Sequence, residues 1–428
     1  MNKAHLVYLL KVYPCYIIVF LFKNHPNIIQ RFLLRRLVQY LHANNRYYGN
    51  LLSKTILDSH EDIYKTIPLL DKGIIRSNLS DITSSTVNPE KVEWANTGGS
   101  TGEPLRFPRL VSKIPFEDIH QLYLYKQMGW NYGDIIISID GSRIAENELA
   151  KRHYWKEGKN FPYGRYSLST MYMSNETLPY YIDFIQVVKP CVLRGYPSGL
   201  KMLCTYIKEN SIKLNFRPKG IYLTSEYASE EDRTFISNVL CCDVWGQYGH
   251  TEVSAFAISK PGDERYLCSP FYGITEILDE SDQHVKIGEQ GEIVVTGFSN
   301  LGLPFVRYKT GDLAIYGGIK NGWVILNRLL GRTVDYIVNK NNEQIFLTGF
   351  IFGGHLAAFN AIADWQIRQD KAGFVDITIV RTTDWKCDYD QDMLFLFQNQ
   401  GITASINYAE SIARSKRGKR IFMIQNIK

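Results

Sequence analysis

No two cysteines of this 428-residue chain stand at C-x-x-C spacing. The seven cysteines lie at 15, 191, 204, 241, 242, 268 and 387, an odd number without a zinc-like pattern. This argues against a disulfide framework and against a structural zinc site. Cys241 and Cys242 are adjacent in an apolar stretch and read as buried packing. No glycine-rich loop is followed by G-K-[ST], so a Walker A loop is excluded. Internal repeats and low-complexity segments are missing as well. Basic residues are in thin excess: 49 Lys and Arg face 43 Asp and Glu, for a net charge of +6. Only one short basic run occurs, near the C-terminus, so a nucleic-acid partner is not expected.

What is present is globular in composition, 45% hydrophobic and 21% charged, with length for about two or three domains. Aromatics make up 13%, with 28 Tyr, which fits deep, partly polar pockets. The run HLVYLLKVYPCYIIVFLF at 5–22 is strongly apolar but short of the roughly 20 residues a bilayer requires. Lys11 and Pro14 interrupt it, and no small-residue cleavage site follows. A helix packed on the protein is expected, with peripheral membrane contact as the alternative and a true span ranked last. Reduced thiols and the missing cleavable signal point to the cytoplasm, with the inner face of the membrane as a possible surface.

Residues 1–90 read as a mostly helical lead-in that ends in the loop-like NLSDITSSTVNP. From 110 to 330, helical patterns alternate with short strand-like runs: IIISID (135–140), CVLRG (191–195), GIYLTS (220–225), DVWGQYG (243–249), ITEIL (274–278) and EIVVTG (292–297). Such alternation predicts α/β layering. WVILN reads as a further strand. A smaller α+β unit follows, in which FVDITIVR (374–381), MLFLF (393–397) and IFMIQ (421–425) are expected to be extended.

Five clusters carry candidate chemistry. Thr97-Gly98-Gly99-Ser100-Thr101-Gly102-Glu103-Pro104 is the densest Gly/Ser/Thr cluster. Its N–H and hydroxyl groups fit either a phosphate cradle or a flexible surface turn. Tyr248-Gly249-His250-Thr251-Glu252 follows a strand-like run. It offers a flat ring for a base, a hydroxyl and a hard oxygen ligand for Mg²⁺, or else an ordinary strand-to-loop junction. Arg307-Tyr308-Lys309-Thr310-Gly311-Asp312 suits a carboxylate grip on ribose hydroxyls, or a hairpin turn. Gly331-Arg332-Thr333-Val334-Asp335 offers an Arg to phosphate or ribose, or a solvated linker. Arg414-Ser415-Lys416-Arg417-Gly418-Lys419-Arg420 reads alone as a solvated tail or an anionic-surface contact.

In this order and spacing the clusters resemble the acyl-adenylate-forming superfamily, over residues 60–420. The likeness is greatest to the phenylacetate–CoA ligase branch. Within that branch it is to homologues associated with capsular and other surface polysaccharide synthesis. IPLLDKGIIRSNL (67–79), KPCVLRGYPSGL (189–200), IYLTSEYAS (221–229) and GEQGEIVVTGFSNLGLPFVRYKTGDL (288–313) add to it. The resemblance implies an α/β fold: a large N-terminal adenylate-forming domain of layered sheets and helices (1–331) and a small mobile α+β lid (332–428). It implies that ATP, Mg²⁺ and coenzyme A are used. Thr97, Gly99, Ser100, Thr101 and Gly102 would bind the nucleotide, with Ser100, Thr101 and Gly102 on the β/γ-phosphates. Ser225 and Glu226 would line the adenine site, Tyr248 would stack on adenine, and Gly249 beside it would belong to the nucleotide-binding set. Thr251 would touch the α-phosphate or metal, and Glu252 would hold Mg²⁺. Asp312 would bind the ribose with help from Arg332. Lys419 would bridge the substrate carboxylate and the α-phosphate. His250 could abut the acyl carboxylate. The chain departs from many relatives at Val334, where they carry an acidic hinge residue, although Asp335 stands beside it. Near Cys268 no His follows closely, so no metal site is expected there and the thiol reads as structural. The turn Gly195-Tyr196-Pro197-Ser198 is expected to start a helix with Ser198 as its cap.

The leading expectation is an AMP-forming ligase acting on a small carboxylic acid, with coenzyme A as acceptor. The alternatives are an amide-forming ligase with an amine acceptor, such as an amino sugar or amino acid, and a non-catalytic nucleotide-binding relative.

Overall fold

The computed structural model describes residues 3–22, 25–52, 66–96, 105–110, 112–332, 336–347, 358, 361–414 and 421–427. They divide into two compact units, one of residues 1–124 and 247–332 and one of residues 125–246 and 333–428.

In the first unit a helical lead-in precedes an antiparallel sheet. Helix Pro26–Asn44 shows how the sequence dictates the lead-in: Pro26 occupies the first turn, where its missing N–H costs nothing. Its buried residues Gln30, Leu33, Leu34, Leu37 and Leu41 recur at helical spacing and form one inward stripe. Asn45 ends it, accepting at Oδ1 from Tyr48 N (3.0 Å) and donating to Ile82 O. The sheet runs in the order Gly273–Leu278, Gln290–Gly297, Tyr308–Lys320, Trp323–Arg332, Tyr266–Cys268 and Phe256–Ser259, and these neighbours pair antiparallel. Phe305 packs edge-on against Phe107 (5.1 Å) and Tyr308 (4.9 Å) in its core. Cys268 is 3% exposed, and burial pushes its thiol pKa up to about 12.

In the second unit, Val244–Gly246, Gly220–Leu223, Val192–Gly195, Ile136–Asp140 and Gly164–Ser169 lie parallel in that order, with Trp155–Asn160 antiparallel at the edge. Helices Leu178–Val188, Pro197–Glu209 and Glu230–Leu240 form the crossovers. The strands Val192–Gly195 and Gly220–Leu223 are buried at every residue, as strands covered on both faces must be. A four-stranded sheet follows in the order Thr403–Tyr408, Phe374–Arg381, Ile362–Lys371 and Met423–Gln425. Its core includes Ile367, Ile377, Ile379, Met393 and Phe397. The observed class is mixed α/β with a small C-terminal α+β part, as expected.

Three local expectations fail for physical reasons. MLFLF lies in helix Asp388–Gln398, not in a strand. A short apolar run fits either state, and Asp388 and Asp390 in the first turn favour the helix, with Met393 and Phe397 buried one turn apart. Cys241 is exposed because it occupies the left-handed position (φ 53°) that ends helix Glu230–Leu240, and only Cys242 is buried. The Thr310–Asp312 segment is not a hairpin turn. It lies inside strand Tyr308–Lys320, where Gly311 takes φ 77° and the register against Gln290–Gly297 shifts. No helix among the described residues is long and apolar enough to cross a membrane.

Candidate active site

The first unit gathers three of the sequence clusters. Strand Val244–Gly249 delivers Tyr248 and Gly249 at its C-terminal end. Gly249 is required by space: a Cβ there would meet Ala255 O at 3.0 Å and collide with the Gln247 amide. The turn that follows carries His250, Thr251 and Glu252 and closes with Val253 N donating to His250 O at 3.1 Å.

The irregularity at Thr310–Asp312 presents the second group. Thr310 Oγ1 donates to Ile293 O (2.7 Å) and accepts from Asp312 N (3.1 Å), while Gly311 N donates to Glu292 Oε1 (3.0 Å). These contacts fix the backbone of Asp312. Its carboxylate Oδ2 accepts from the Tyr248 hydroxyl at 2.7 Å, 64 residues away in sequence. Burial, reinforced by the Asp312 carboxylate, pushes the Tyr248 phenol pKa well above its usual value. The phenol is therefore a neutral donor throughout the working pH range.

Glu252 is the third element. The residue is 6% exposed, and the Tyr308 hydroxyl donates to its Oε1 at 3.3 Å. Burial opposes its ionisation, but His250, its own backbone N–H and Lys72 together outweigh burial and hold the carboxyl at about 2. A carboxylate kept ionised this firmly is a hard anionic ligand. It suits Mg²⁺, which binds through one or two carboxylates plus substrate phosphates rather than an all-protein cage. The buried Glu252 carboxylate offers the single anionic oxygen ligand that such a mode needs. His250 Nδ1 lies 3.4 Å from Glu252 Oε2, an ion-pair distance without hydrogen-bond alignment. Both ring nitrogens of His250 are themselves buried and lack an aligned partner among the described residues.

Arg332 ends strand Trp323–Arg332 and is the direct register partner of Asp312 across the ladder. The G-R and T-G-D clusters are therefore neighbours on adjacent strands. Segment Leu70–Lys72 is tied to the same strand: Leu70 bridges Tyr308, with Leu70 N donating to Arg307 O (2.9 Å) and Lys309 N to Leu70 O (2.7 Å). Sequence reasoning gave no role to Lys72 or to the Tyr308 hydroxyl. Tyr308 stood within a recognised cluster, whereas nothing in the local sequence around Lys72 announced its influence on Glu252.

Ser225 and Glu226 belong to the second unit. Ser225 takes φ 71° in the turn after strand Gly220–Leu223. Glu226 Oε2 accepts from Ser198 N at 3.1 Å, in the first turn of helix Pro197–Glu209. The expected Ser198 cap is thus corrected. Tyr196 holds the cap position without a side-chain bond, and a carboxylate 28 residues away takes the orphan N–H, as the helix dipole favours. Ser198 Oγ instead accepts from Arg414 Nη1 at 3.2 Å. Arg414 Nη2 lies 2.8 Å from Asp364 Oδ2, and these side chains are 11% and 5% exposed. The first residue of the C-terminal basic run is therefore an internal ion-pair member rather than part of a solvated tail. Arg414 and Asp364 also line a cavity of about 340 Å³ with Met171, Met173, Met202 and Thr205. Thr97, Gly99, Ser100, Thr101, Gly102 and Lys419 lie outside the described residues.

No protein-family model matches the chain. Protein CapK of Staphylococcus aureus is similar to it at 24% identity over 405 residues, covering 91% of this chain and 87% of the relative. Among solved structures, 2-hydroxyisobutyryl-CoA ligase in the postadenylation state with 2-HIB-AMP matches with a TM-score of 0.70 at 16% identity, over 92% of this chain and 88% of that one. The GH3.15 acyl acid amido synthetase matches with a TM-score of 0.56 at 15% identity, over 92% and 88%. The anthranilate CoA ligase AuaEII in complex with anthranoyl-AMP matches with a TM-score of 0.52 at 14% identity, over 77% of this chain and 64% of that one. The chain has the fold that these ligases share.

Proposed function

We propose that this chain is an AMP-forming ligase of the phenylacetate–CoA ligase-like branch. It joins a carboxylic acid to the α-phosphate of ATP and passes the acyl group to coenzyme A. In the first step a carboxylate oxygen attacks the α-phosphorus, the bond to the β-phosphate breaks and pyrophosphate leaves. In the second, a thiol loses its proton and attacks the acyl carbon, and AMP departs. The observation that carries this reading is the 2.7 Å hydrogen bond from Tyr248 to Asp312, in the same unit as the ionised, buried Glu252. It joins two clusters distant in sequence, as one nucleotide site would require.

Both reactants of the first step are anionic, so the barrier falls where cations and N–H donors are fixed beside developing charge. Tyr248 presents its ring to the adenine while its hydroxyl orients Asp312 toward the ribose, and Ser225 and Glu226 line the base. Arg332, the register partner of Asp312, assists at the ribose. Thr251 contacts the α-phosphate, and the loop Thr97–Gly102 takes the β/γ-phosphates. Glu252 is the ligand for Mg²⁺, which when bound neutralises phosphate charge. Lys419 supplies the cation between carboxylate and α-phosphate. The working division is a large domain (1–331) and a lid (332–428) that turns about residues 331–335 between the steps, a common route to sequential chemistry in one cleft. The surface-polysaccharide setting rests on the sequence resemblance, with CapK among the relatives.

An amine acceptor is the second reading, supported by the likeness to an acyl acid amido synthetase. Product analysis tests both. Acid-dependent formation of AMP and pyrophosphate is expected, with turnover requiring coenzyme A. Turnover that requires an amine instead would select the second reading, and acid-independent release of ADP would overturn both.

A further inference from the structure

We propose that the N-terminal helical stretch docks this protein on an anionic lipid surface. Helical turns run without a break from Lys3 to Leu21, α-helical to Val7, π-helical over Tyr8–Val12 and α-helical again to Leu21. That run is ~28 Å long. Tyr8 and Val12, one turn apart, face the protein at 5% and 1% exposure. The opposite stripe, Leu6, Leu10, Tyr13, Ile17 and Leu21, recurs every three or four residues and is 42%, 67%, 39%, 42% and 68% exposed. The next helix, Pro26–Asn44, repeats the pattern: its leucines are buried, while Ile28 and Phe32 are 61% and 53% exposed. Arg31, Arg35 and Arg36 are exposed on that helix, and the Arg36 guanidinium lies 5.7 Å over the Phe32 ring.

Charge identifies the occupant. The first 57 residues hold eight Lys or Arg and no Asp or Glu, whereas the remaining 371 carry 41 basic side chains against all 43 acidic ones. The net positive charge of the chain thus resides in the same segment as its most exposed apolar stripe. Apolar side chains interleaved with cations, and no anions, complement the boundary of an anionic bilayer, where acyl chains and negative headgroups lie within a few ångströms of each other. A second copy of the chain is a poor partner, since it would bring like charge to like charge. A spanning segment is also disfavoured: the Lys11 charge breaks the apolar sequence, and no described helix is long and apolar enough to cross. The helix therefore lies on the surface rather than through it.

The test is co-sedimentation of the full chain with vesicles of phosphatidylcholine alone and of phosphatidylcholine containing phosphatidylglycerol, at low and high salt. Binding to the anionic vesicles is expected, weakened by salt, with little binding to the neutral ones. The triple variant Arg31→Gln/Arg35→Gln/Arg36→Gln is expected to lose about 100-fold in affinity for anionic vesicles, at roughly fivefold per charge. Leu10→Asp/Leu21→Asp, which alters outward side chains, is expected to abolish binding while unfolding at the wild-type urea concentration. Failure to bind either vesicle would overturn the proposal, as would binding indifferent to salt and to both variants. Self-association in sedimentation that Leu10→Asp/Leu21→Asp removes, without vesicle binding, would overturn it in favour of a second copy.

Discussion

In the unit formed by residues 1–124 and 247–332, polar side chains meet at a strand end and at an irregularity in its neighbour. Tyr248 holds Asp312, Tyr308 and His250 flank Glu252, and the backbone of Asp312 is tied by Thr310. In the other unit, the polar chain Asp364–Arg414–Ser198–Glu226 joins the four-stranded sheet to the first turn of helix Pro197–Glu209. The first arrangement keeps the Glu252 carboxyl ionised and holds Asp312 in one orientation, which is what a ligand for metal or ribose requires. The second spends its charges on one another across a packing boundary, which is what holds two elements together. The two units should therefore respond differently to loss of a charge: the first in catalysis, the second in stability.

The largest effect on stability is expected from Arg414→Ala. It strands the buried Asp364 carboxylate without its cation and should cost ~3–5 kcal/mol in urea unfolding. A double change, Arg414→Met with Asp364→Leu, should recover much of that loss. A loss under ~1 kcal/mol for Arg414→Ala would show that the pair is solvated and the contrast wrong.

Glu252→Gln tests the other side. It should lower kcat by about 10²–10³-fold, the scale of losing one fixed electrostatic group at a reacting centre. Its stability signature lies at acid pH. Glu252 has a folded-state pKa of about 2 against an ordinary 4.5, so its ionisation stabilises the fold above 4.5 and that contribution is lost as pH falls through 2. Wild type should lose stability between those limits more steeply than Glu252→Gln. Parallel unfolding curves would show that the carboxylate is not held as described.

Tyr248→Phe keeps the ring and removes the hydroxyl that orients Asp312. A hydrogen bond to a charged acceptor is worth ~1.5 kcal/mol or more, so KM for ATP should rise roughly tenfold with kcat little changed. A fall in kcat alone would place the hydroxyl at the chemistry instead. The smallest effect is expected from Lys208→Ala. Lys208 pairs with Asp384 at 2.7 Å, but the side chains are 55% and 60% exposed. Its loss should cost under ~0.5 kcal/mol. Because this pair also joins helix Pro197–Glu209 to the small C-terminal part, it is a close control for Arg414.

Much of the layering was legible. The expected runs at 135–140, 191–195, 220–225, 243–249, 274–278 and 292–297 all contain observed strands, because short apolar runs between turn residues have few other uses in a layered fold. The alternation of FVDITIVR likewise predicted strand Phe374–Arg381. MLFLF misled because five apolar residues carry no period long enough to separate strand from helix. The sequence named Tyr248 and Asp312 singly and gave no contact between them, since register and strand irregularity are tertiary facts. Glu226 as partner of Ser198 N, and Lys72 as an influence on Glu252, were invisible for the same reason: both depend on segments brought together across long stretches of chain. Arg414 looked like one of several solvated cations until Asp364 appeared beside it.

The central claim is tested most directly by exchange of labelled pyrophosphate into ATP, across a panel of aryl, alkyl, hydroxy and amino acids, with Lys419→Ala and Glu252→Gln beside wild type. Mg²⁺-dependent exchange with at least one acid is expected, lost in Lys419→Ala and strongly reduced in Glu252→Gln. Exchange that proceeds undiminished in both variants, or ATP bound without exchange for any acid in the panel, would contradict the claim.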